Sequence, residues 1–196
     1  MYGTFILKCL YFFLPAYFAN MAPTFAKKAS ILEFLDKPID FWKNFRGKPI
    51  FGSHKTWRGI ISGIVSGILI SYFQKFLFQF SFFQKISFLN YQKINVFFLG
   101  FLFSFGALFG DLISSFFKRR KGILAGKPWV PFDQISFVIG SFLMVNIFPD
   151  FRIPISAWLL ILILSFFLHI IGNRIGFWFK ISDGKIWPRF SFWDII

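Results

Sequence analysis

The sequence has few cysteines, histidines and acidic residues, and each shortage excludes a class of site. Cys9 is the only cysteine among 196 residues, so the chain has no internal disulfide and no cysteine-based metal centre. Only two histidines are present, which argues against zinc as a bound ion. No stretch has the glycine and lysine spacing of a P-loop, which excludes a nucleotide site of that type.

Acidic residues are scarce relative to basic ones. Eight Asp and Glu stand against 22 Lys and Arg, which gives a formal net charge of +14. Nucleic-acid-binding proteins often carry such a charge, but here the cations lie in short segments between apolar runs. That distribution is typical of loops in a membrane protein, and it is compatible with an anionic substrate. We therefore expect no nucleic-acid partner.

Apolar residues are abundant: 56% of the chain is hydrophobic, and 35 residues are phenylalanine. Five apolar runs approach the ~20 residues that a helix needs to cross the hydrocarbon layer. Their lengths predict an all-α, polytopic membrane protein. No small-residue cleavage site follows the first run, so we expect a retained span and not a signal peptide. The predicted spans are Phe5–Phe25, Arg58–Phe78, Val96–Phe117, Gln134–Phe151 and Ile155–Gly172.

The basic loops predict the orientation of these spans. Loop 27–58 carries eight Lys and Arg, loop 118–133 carries five, and the tail from Arg174 carries four. Cytoplasmic loops are rich in Lys and Arg, so both loops and the C-terminus are predicted to be cytoplasmic and the N-terminus outside. We treat 1–196 as a single membrane domain. The segment Lys75–Lys93 is too polar for a span, and an interfacial helix on the outer face is one interpretation of it.

Small residues recur every four positions in two of the predicted spans. Gly59, Gly63 and Gly67 lie in the second span, and Gly106 and Gly110 lie in the third. Since this spacing lets two membrane helices approach closely, it predicts tight helix packing. A second interpretation is that it admits a lipid chain or head group between the helices.

Asp111 interrupts the third apolar run, about two turns before the cation block Lys118–Lys121. Asp111, Ser114, Ser115 and Lys118 share one helix face, and Lys118 lies about 10 Å along the axis, roughly the length of a di- or triphosphate. An ionised Asp in lipid costs about 2.5–3.5 kcal/mol, so we expect it to face a wet cleft and hold a cation. Two alternatives stay open. Asp111 pairs with a basic residue of a neighbouring helix and only fixes packing, or the cation block serves topology alone.

Polar residues from four separate segments are predicted to converge on the cytoplasmic side. Asp111 and the cation block stand near the exit of the third span, and Asp133 stands at the entry of the fourth. Carboxylate and hydroxyl oxygens favour a hard ion such as Mg²⁺. We interpret the two histidines as hydrogen-bonding residues at the interface. The other members of this group are His54, Lys55, Arg58, His169, Asn173 and Arg174.

The stretch from Asp111 to Asp133 resembles the signature of membrane CTP-dependent cytidylyltransferases such as the CDP-diacylglycerol synthases. The matching residues are Ser115, Lys118, Arg119 and Asp133. The closer resemblance is to the smaller archaeal-type family of CDP-archaeol synthases (CTP:2,3-di-O-geranylgeranyl-glycerol-1-phosphate cytidylyltransferases). It covers nearly the whole chain in order. The matching motifs are LPAYFANMAP (Leu14–Pro23), PIDF (Pro38–Phe41), FGSHKTWRG (Phe51–Gly59), GDLISSFFKRR (Gly110–Arg120), FDQ (Phe132–Gln134) and GNRIG (Gly172–Gly176).

The resemblance implies a Mg²⁺-dependent nucleotidyltransferase with five transmembrane helices that moves CMP from CTP onto an isoprenoid ether-lipid phosphate. Asp111 and Asp133 would be metal ligands and, with Lys118, the catalytic residues. The active site would face the cytoplasm at the cell (inner) membrane, with CTP and a lipid phosphate as partners. Candidate nucleotide- and phosphate-binding residues are Lys55, Thr56, Arg58, Ser115, Arg119 and Arg120. Candidate lipid or interface residues are Asn20, Asn173 and Arg174.

One position departs from the family's pattern. The family usually has an acid two residues after the glutamine of the FDQ motif, and this chain has Ser136 there. A hydroxyl is a poorer Mg²⁺ ligand than a carboxylate, so the number of metals stays open. Two alternative functions also stay open: the same chemistry on diacyl phosphatidic acid, and a non-catalytic membrane lipid carrier or transporter. The sequence does not predict an oligomeric state.

Overall fold

The computed structural model describes residues 2–178, without the side chains of residues 173, 176 and 177. This part of the chain is mostly helical, as predicted, with one small antiparallel hairpin of strands β1 (Asn44–Phe45) and β2 (Lys48–Pro49). Two 3-10 turns cover Glu33–Leu35 and Pro149–Phe151. The helices are α1 (Tyr2–Lys28), α2 (Trp57–Leu77), α3 (Ser81–Lys85), α4 (Val96–Arg120), α5 (Phe132–Asn146) and α6 (Ile155–Trp178).

Within residues 2–178, four helices are long and apolar enough to cross a membrane: α1, α2, α4 and the Ile155–Gly172 part of α6. The prediction of a multi-pass membrane protein is thereby confirmed. The fourth predicted span, Gln134–Phe151, is shorter in the structure, because α5 has 15 residues and ends at Asn146. Pro149 opens the following 3-10 turn, and a proline has no N–H with which to extend a helix.

Helix α4 is the central element and packs against α5, α2 and α1. Its Phe103 is fully buried. The ring of Phe103 meets Phe12 of α1 edge-on at a centroid distance of 5.0 Å, and it lies tilted against Trp158 of α6 at 6.4 Å. Edge-to-face ring pairs contribute about 0.5–1.5 kcal/mol beyond the area they bury. This aromatic core fixes α4, and with it Asp111, relative to α1 and α6.

Glycines allow the helix backbones to approach closely at two contacts. A Cβ on Gly63 of α2 would lie 2.8 Å from the Ala19 carbonyl oxygen of α1. A Cβ on Gly106 of α4 would lie 2.6 Å from the Gly140 carbonyl oxygen of α5. Both separations are shorter than a real side chain tolerates, which supports the packing interpretation of the glycine spacing. Gly110, beside Asp111, likewise faces the first turns of α5.

The segment between α2 and α4 folds back onto the helices. Its Ile86 and Tyr91 are buried, and the Tyr91 ring lies 5.9 Å from that of Tyr11 in α1. The Tyr11 hydroxyl donates to the Gln74 carbonyl oxygen at 3.1 Å. Within the predicted interfacial segment, α2 continues to Leu77, and the only separate helix among the described residues is the five-residue α3. The segment is therefore packed against the bundle, with a much shorter helix than the interfacial interpretation implied.

Candidate active site

Two carboxylate–lysine pairs lie near the C-terminal end of α4. Lys55, in the segment before α2, contacts Asp111 through its Nζ and the carboxylate Oδ2. Lys118 donates from Nζ to Asp133 Oδ2 at 2.7 Å. The side chains of Lys55 and Asp111 are 25% and 26% exposed. The structure thus brings together four of the predicted site residues, from three separate parts of the chain.

Asp133 is held by several donors in the first turn of α5, where the helix dipole favours a negative charge. Its Oδ2 also accepts the Trp129 backbone N–H at 2.9 Å, and its Oδ1 accepts the Ser114 hydroxyl at 3.5 Å. The neighbouring Ser115 is buried. Because the Asp133 side chain is still 20% exposed, a ligand can reach a carboxylate whose orientation is already fixed.

Helix α6 packs against α5 near this site. His169 lies within electrostatic range of both Asp133 and Asp111. Its ring centroid is 6.4 Å from that of Phe137 in α5. The two carboxylates, which belong to α4 and α5, therefore lie on the side of the bundle where these helices meet α6.

Several of the predicted phosphate-binding residues make structural contacts. The guanidinium of Arg58 is buried and pairs with Asp36 at 2.8 Å. Thr56 caps α2, since its hydroxyl accepts the Gly59 N–H at 3.3 Å. Buried Arg119 donates from Nε to the Phe51 carbonyl oxygen at 3.2 Å. These side chains hold the loop before α2 in place, so phosphate binding by them requires sharing or exchange of these bonds.

Arg120 fastens the hairpin to the end of α4. Its guanidinium donates to the carbonyl oxygens of Phe45, Lys48 and Pro49, the Lys48 bond measuring 3.0 Å. It also lies 5.4 Å and 5.0 Å from the ring centroids of Phe45 and Phe116. Lys48 Nζ donates in return to the Arg120 carbonyl oxygen at 3.0 Å. Arg120 therefore has a structural role that the sequence does not indicate.

His54 lies in a strongly cationic environment beside Lys55. Burial, followed by the charges of Lys27, Lys55, Arg119 and Lys118, lowers the pKa of its imidazole. The side chain is therefore neutral near pH 7. Since a neutral imidazole adds no positive charge, the anion-binding capacity of this region comes from its lysines and arginines.

The predicted lipid or interface residues are spread over two helices. Asn20 is half-buried on α1, and Arg174 is exposed on α6. The side chain of Asn173 lies outside the described part of the structure.

Asp40 is a buried acid whose role the sequence analysis missed. Its Oδ1 accepts the Trp42 N–H at 3.1 Å, and its Oδ2 accepts those of Phe51 and Gly52 at 2.9 and 3.1 Å. A carboxylate that accepts backbone N–H groups in this way orders the loop around it. In the sequence, Asp40 is marked only by its place in the PIDF motif, within the basic loop 27–58.

A cleft of about 610 Å³ opens between this loop and the residues that follow α4. Gly52 and Arg119 line this cleft. Gly52 lies in the same segment as Lys55, and Arg119 directly follows Lys118. Its volume falls within the range of small-molecule sites. The other residues that line it are Asp40, Trp42, Asn44, Lys48, Pro49, Ser53, Gly122, Ile123, Leu124 and Ala125.

The carboxylate oxygens of Asp111 and Asp133 suit a hard divalent ion. Asp111 and Asp133 offer oxygens from two helices, and Mg²⁺ is commonly held by one or two carboxylates together with substrate phosphates. Within the described part of the chain, no three His, Cys, Asp or Glu side chains form a closed metal cage. Ser136, at the position where an acid is expected, has a buried Oγ without a hydrogen-bond partner in that same part.

Comparison with known proteins gives a consistent result. A family model described as CarS-like: CDP-archaeol synthase matches residues 2–187. The CDP-archaeol synthase of Pyrococcus furiosus is 36% identical over 166 residues, 84% of this chain and 88% of that protein. The CDP-archaeol synthase of Methanocaldococcus jannaschii is 34% identical over 184 residues, 93% of this chain and 98% of that protein.

The fold also has a solved counterpart. A structure reported as "Structural insight into an intramembrane enzyme for archaeal membrane lipids biosynthesis" superposes with a TM-score of 0.68 and 23% identity, covering 86% of this chain and 94% of that one. This likeness concerns the fold. The family match and the relatives at 34% and 36% identity confirm the resemblance carried by the motifs: the chain belongs to the CDP-archaeol synthase family.

Proposed function

We propose that this chain transfers CMP from CTP to the phosphate of an isoprenoid ether lipid, giving a CDP-archaeol-type lipid and pyrophosphate. The observation that carries the proposal is the pair of contacts Lys55–Asp111 and Lys118–Asp133 at the end of α4. Lysines bind phosphates, and carboxylates bind the hard ion that accompanies them. Membership of the CDP-archaeol synthase family supports the reaction class.

The lysines have two roles in this account. Without ligand, each one neutralises a carboxylate that would otherwise be a costly charge near the membrane. CTP brings several negative charges, which compete for Lys55 and Lys118 and release the oxygens of Asp111 and Asp133. The cleft beside Arg119 adjoins Lys118 and is large enough for a nucleotide, so we place CTP there.

The transfer is a substitution at the α-phosphorus of CTP. An oxygen of the lipid phosphate forms the new P–O bond, and the bond between the α-phosphorus and the oxygen leading to the β-phosphorus breaks. Pyrophosphate leaves with the electron pair, and Lys118 and Lys55 stabilise its charge. The lipid phosphate is already ionised near neutral pH, so no side chain has to remove a proton. The residues act by positioning the reactants and by charge neutralisation.

Asp111 and Asp133 would hold Mg²⁺, which, when bound, supplies charge neutralisation on the triphosphate. We also assign the active site to the cytoplasmic face of the cell membrane, where CTP is available. The excess of Lys and Arg in loops 27–58 and 118–133 supports this orientation. The whole chain acts as one membrane domain in this proposal.

Replacing each carboxylate by its amide tests these assignments. We expect Asp111→Asn and Asp133→Asn to lower kcat by about 100-fold or more, because preorganised charge stabilisation of this kind is worth 10²–10³ in rate. The measurement is incorporation of label from CTP into lipid by the purified protein in detergent with Mg²⁺. Asp150→Asn is the matched control, since Asp150 lies on the 3-10 turn after α5 and should retain the parent rate.

Near-normal turnover in both active-site variants would contradict the assigned roles. The choice between isoprenoid and acyl chains needs a separate experiment, because both lipids offer the same phosphate. Mass spectrometry of the products from CTP and a mixed pool of lipid phosphates decides it. We expect the ether-linked isoprenoid product to dominate; a dominant diacyl product would support the phosphatidic acid alternative. Absence of any nucleotidyl lipid, despite folded protein, would favour the lipid carrier.

A further inference from the structure

A second cationic cleft lies beside the hairpin, apart from the carboxylates. Its volume is about 410 Å³, and its lining consists of Phe45, Arg46, Lys48, Phe116 and Arg120. Three of these five residues are cationic, and none of the described residues that line the cleft is acidic. A cleft with this lining attracts an anion that also has an apolar part.

The hairpin holds these cations in place. Arg46 and Gly47 form its turn with φ of 51° and 73°, a conformation that is uncommon for a residue with a side chain. The Arg46 guanidinium lies 5.5 Å from the Phe45 ring centroid. Arg120 is fixed by the hairpin carbonyls, yet its buried Nε has no hydrogen-bond partner in the described part. The cluster is therefore built by the fold and is not a chance group of mobile side chains.

An apolar stripe runs along α4 to this cleft. The rings of Phe101, Phe105 and Phe109 stack at centroid distances of 5.7 and 5.8 Å, with interplanar angles of 16° and 7°. Phe105 and Phe109 are 39% and 41% exposed, although they belong to a membrane-spanning helix. At about 100° per residue, Phe116 and Arg120 continue the same face. The stripe thus offers a lipid-facing track that ends at the cations.

This face of α4 points away from the two carboxylates, although Lys48 lines both this cleft and the cleft assigned to CTP. Asp111 and Lys118 lie roughly 170° around α4 from the direction of Phe116 and Arg120. A phosphate bound beside Arg120 is therefore on the wrong side of the helix to react with a nucleotide held by Asp111. The occupant of the cleft is not the lipid that undergoes transfer.

We propose that the hairpin cleft binds the phosphate head group of a non-substrate anionic phospholipid, whose hydrocarbon chain lies along the Phe101–Phe105–Phe109 stripe. Arg120 ends a membrane-spanning helix, so the cleft lies at the level of the lipid head groups. The exposed guanidinium of Arg46 suits phosphate through paired hydrogen bonds. Arg120, whose terminal nitrogens donate to the hairpin carbonyl oxygens, adds positive charge. The bound lipid would tie the hairpin to α4 and so stabilise the loop that contains Asp40 and Lys55.

The test measures thermal unfolding of the full-length protein in a neutral detergent with added dioctanoyl phosphatidylglycerol. We expect this anionic lipid to raise the unfolding midpoint, and dioctanoyl phosphatidylcholine or inorganic phosphate to give less than a quarter of that shift. Arg46→Gln should at least halve the shift. Lys93→Gln, which removes one exposed charge from the loop before α4, is the matched control and should keep it. CTP-dependent transfer by Arg46→Gln should retain the parent KM for the lipid substrate.

Each other outcome overturns the proposal in a recognisable way. Equal stabilisation by inorganic phosphate would identify a free-phosphate site, and equal stabilisation by the zwitterionic lipid would show no head-group selectivity. An unchanged shift in both Arg46→Gln and Lys48→Gln would place the lipid elsewhere. A raised KM for the lipid substrate in Arg46→Gln would make the cleft part of the substrate path. None of these results depends on the assigned roles of Asp111 and Asp133.

Discussion

At the scale of single residues, the candidate site is a set of charges that are neutralised in pairs. Asp111 and Asp133 each contact one lysine, and each lysine lies on a different element from its partner acid. Such pairing offsets the cost of an acid in a membrane helix. It also keeps the lysines within reach of a phosphate, because a triphosphate carries more charge than a carboxylate.

Ser136 permits a prediction about the metal. Its Oγ is buried and unpartnered, and leaving a polar group in that state costs about 1–3 kcal/mol. If Ser136 is no metal ligand, Ser136→Ala should leave kcat within a factor of two and keep or raise the thermal midpoint. The measurement is the Mg²⁺ dependence of CTP transfer beside a melting curve. A tenfold rise in the Mg²⁺ concentration for half-maximal activity would instead make Ser136 a ligand.

His54 predicts a pH dependence of stability. Burial and the cations around it lower its pKa in the folded state below the usual value of about 6.5. The unfolded chain therefore binds the proton more readily, so the stability that His54 contributes is present above about pH 6.5 and declines as the pH falls below that value. Between pH 7.5 and 5.5, the unfolding midpoint of the parent should fall further than that of His54→Gln. Parallel curves for the two proteins would contradict this.

Residue types at the site, and the alternative that Asp111 pairs with a basic residue, could be predicted from the sequence, but the identity of each acid's partner could not. An acid in an apolar run and cations at helix ends are visible because membrane burial makes them expensive. The contact of Lys55 with Asp111 joins residues 56 positions apart, so it depends on how α2 packs against α4. The role of Asp40 depends on backbone N–H groups, which every loop has and no sequence pattern marks.

At the scale of elements, the α4–α5 contact sets the distance between the two carboxylates. A Cβ on Gly140 would lie 2.9 Å from both Cα and N of Gly110, the neighbour of Asp111. These are backbone atoms that cannot move without shifting a helix. The glycine spacing, read in the sequence as a packing device, thus has a direct consequence for the site.

Gly140→Ala should therefore separate α4 from α5. We expect a loss of about 1–3 kcal/mol in the free energy of unfolding, the usual cost of overpacking, together with reduced transfer activity. Thermal unfolding in detergent and the CTP assay measure the two effects. Gly3→Ala is the matched control, since a Cβ there meets nothing within 4 Å and should change neither quantity. Equal melting of both variants would mean that the contact is loose.

Helix lengths were predicted well where hydropathy decides them and poorly where local geometry does. The spans α1, α2, α4 and α6 match the apolar runs closely. Helix α5 ends early because the chain turns at Pro149. The β1–β2 hairpin depends on residues with left-handed backbone conformation such as Arg46, which the residue type does not favour. The hydrogen bond from Arg120 to the Lys48 carbonyl oxygen stabilises the hairpin in this conformation.

At the scale of the whole molecule, the proposed orientation has a direct test. On a Cys9→Ser background, Lys43→Cys and Lys93→Cys place single thiols on exposed residues of the loops before α2 and before α4. With the N-terminus outside, a membrane-impermeant maleimide should label Lys93→Cys on intact cells and Lys43→Cys only after permeabilisation. The reverse pattern would invert the topology and move the site away from cytoplasmic CTP.

The proposed reaction moves CMP, and not a terminal phosphate, onto a lipid. The most direct measurement compares CTP labelled at the α-phosphorus with CTP labelled at the γ-phosphorus, each incubated with the purified chain, Mg²⁺ and an isoprenoid ether-lipid phosphate. We predict that α-label enters the lipid fraction and that γ-label is recovered only in pyrophosphate. Entry of γ-label into the lipid, or no entry of α-label by folded protein, would contradict it.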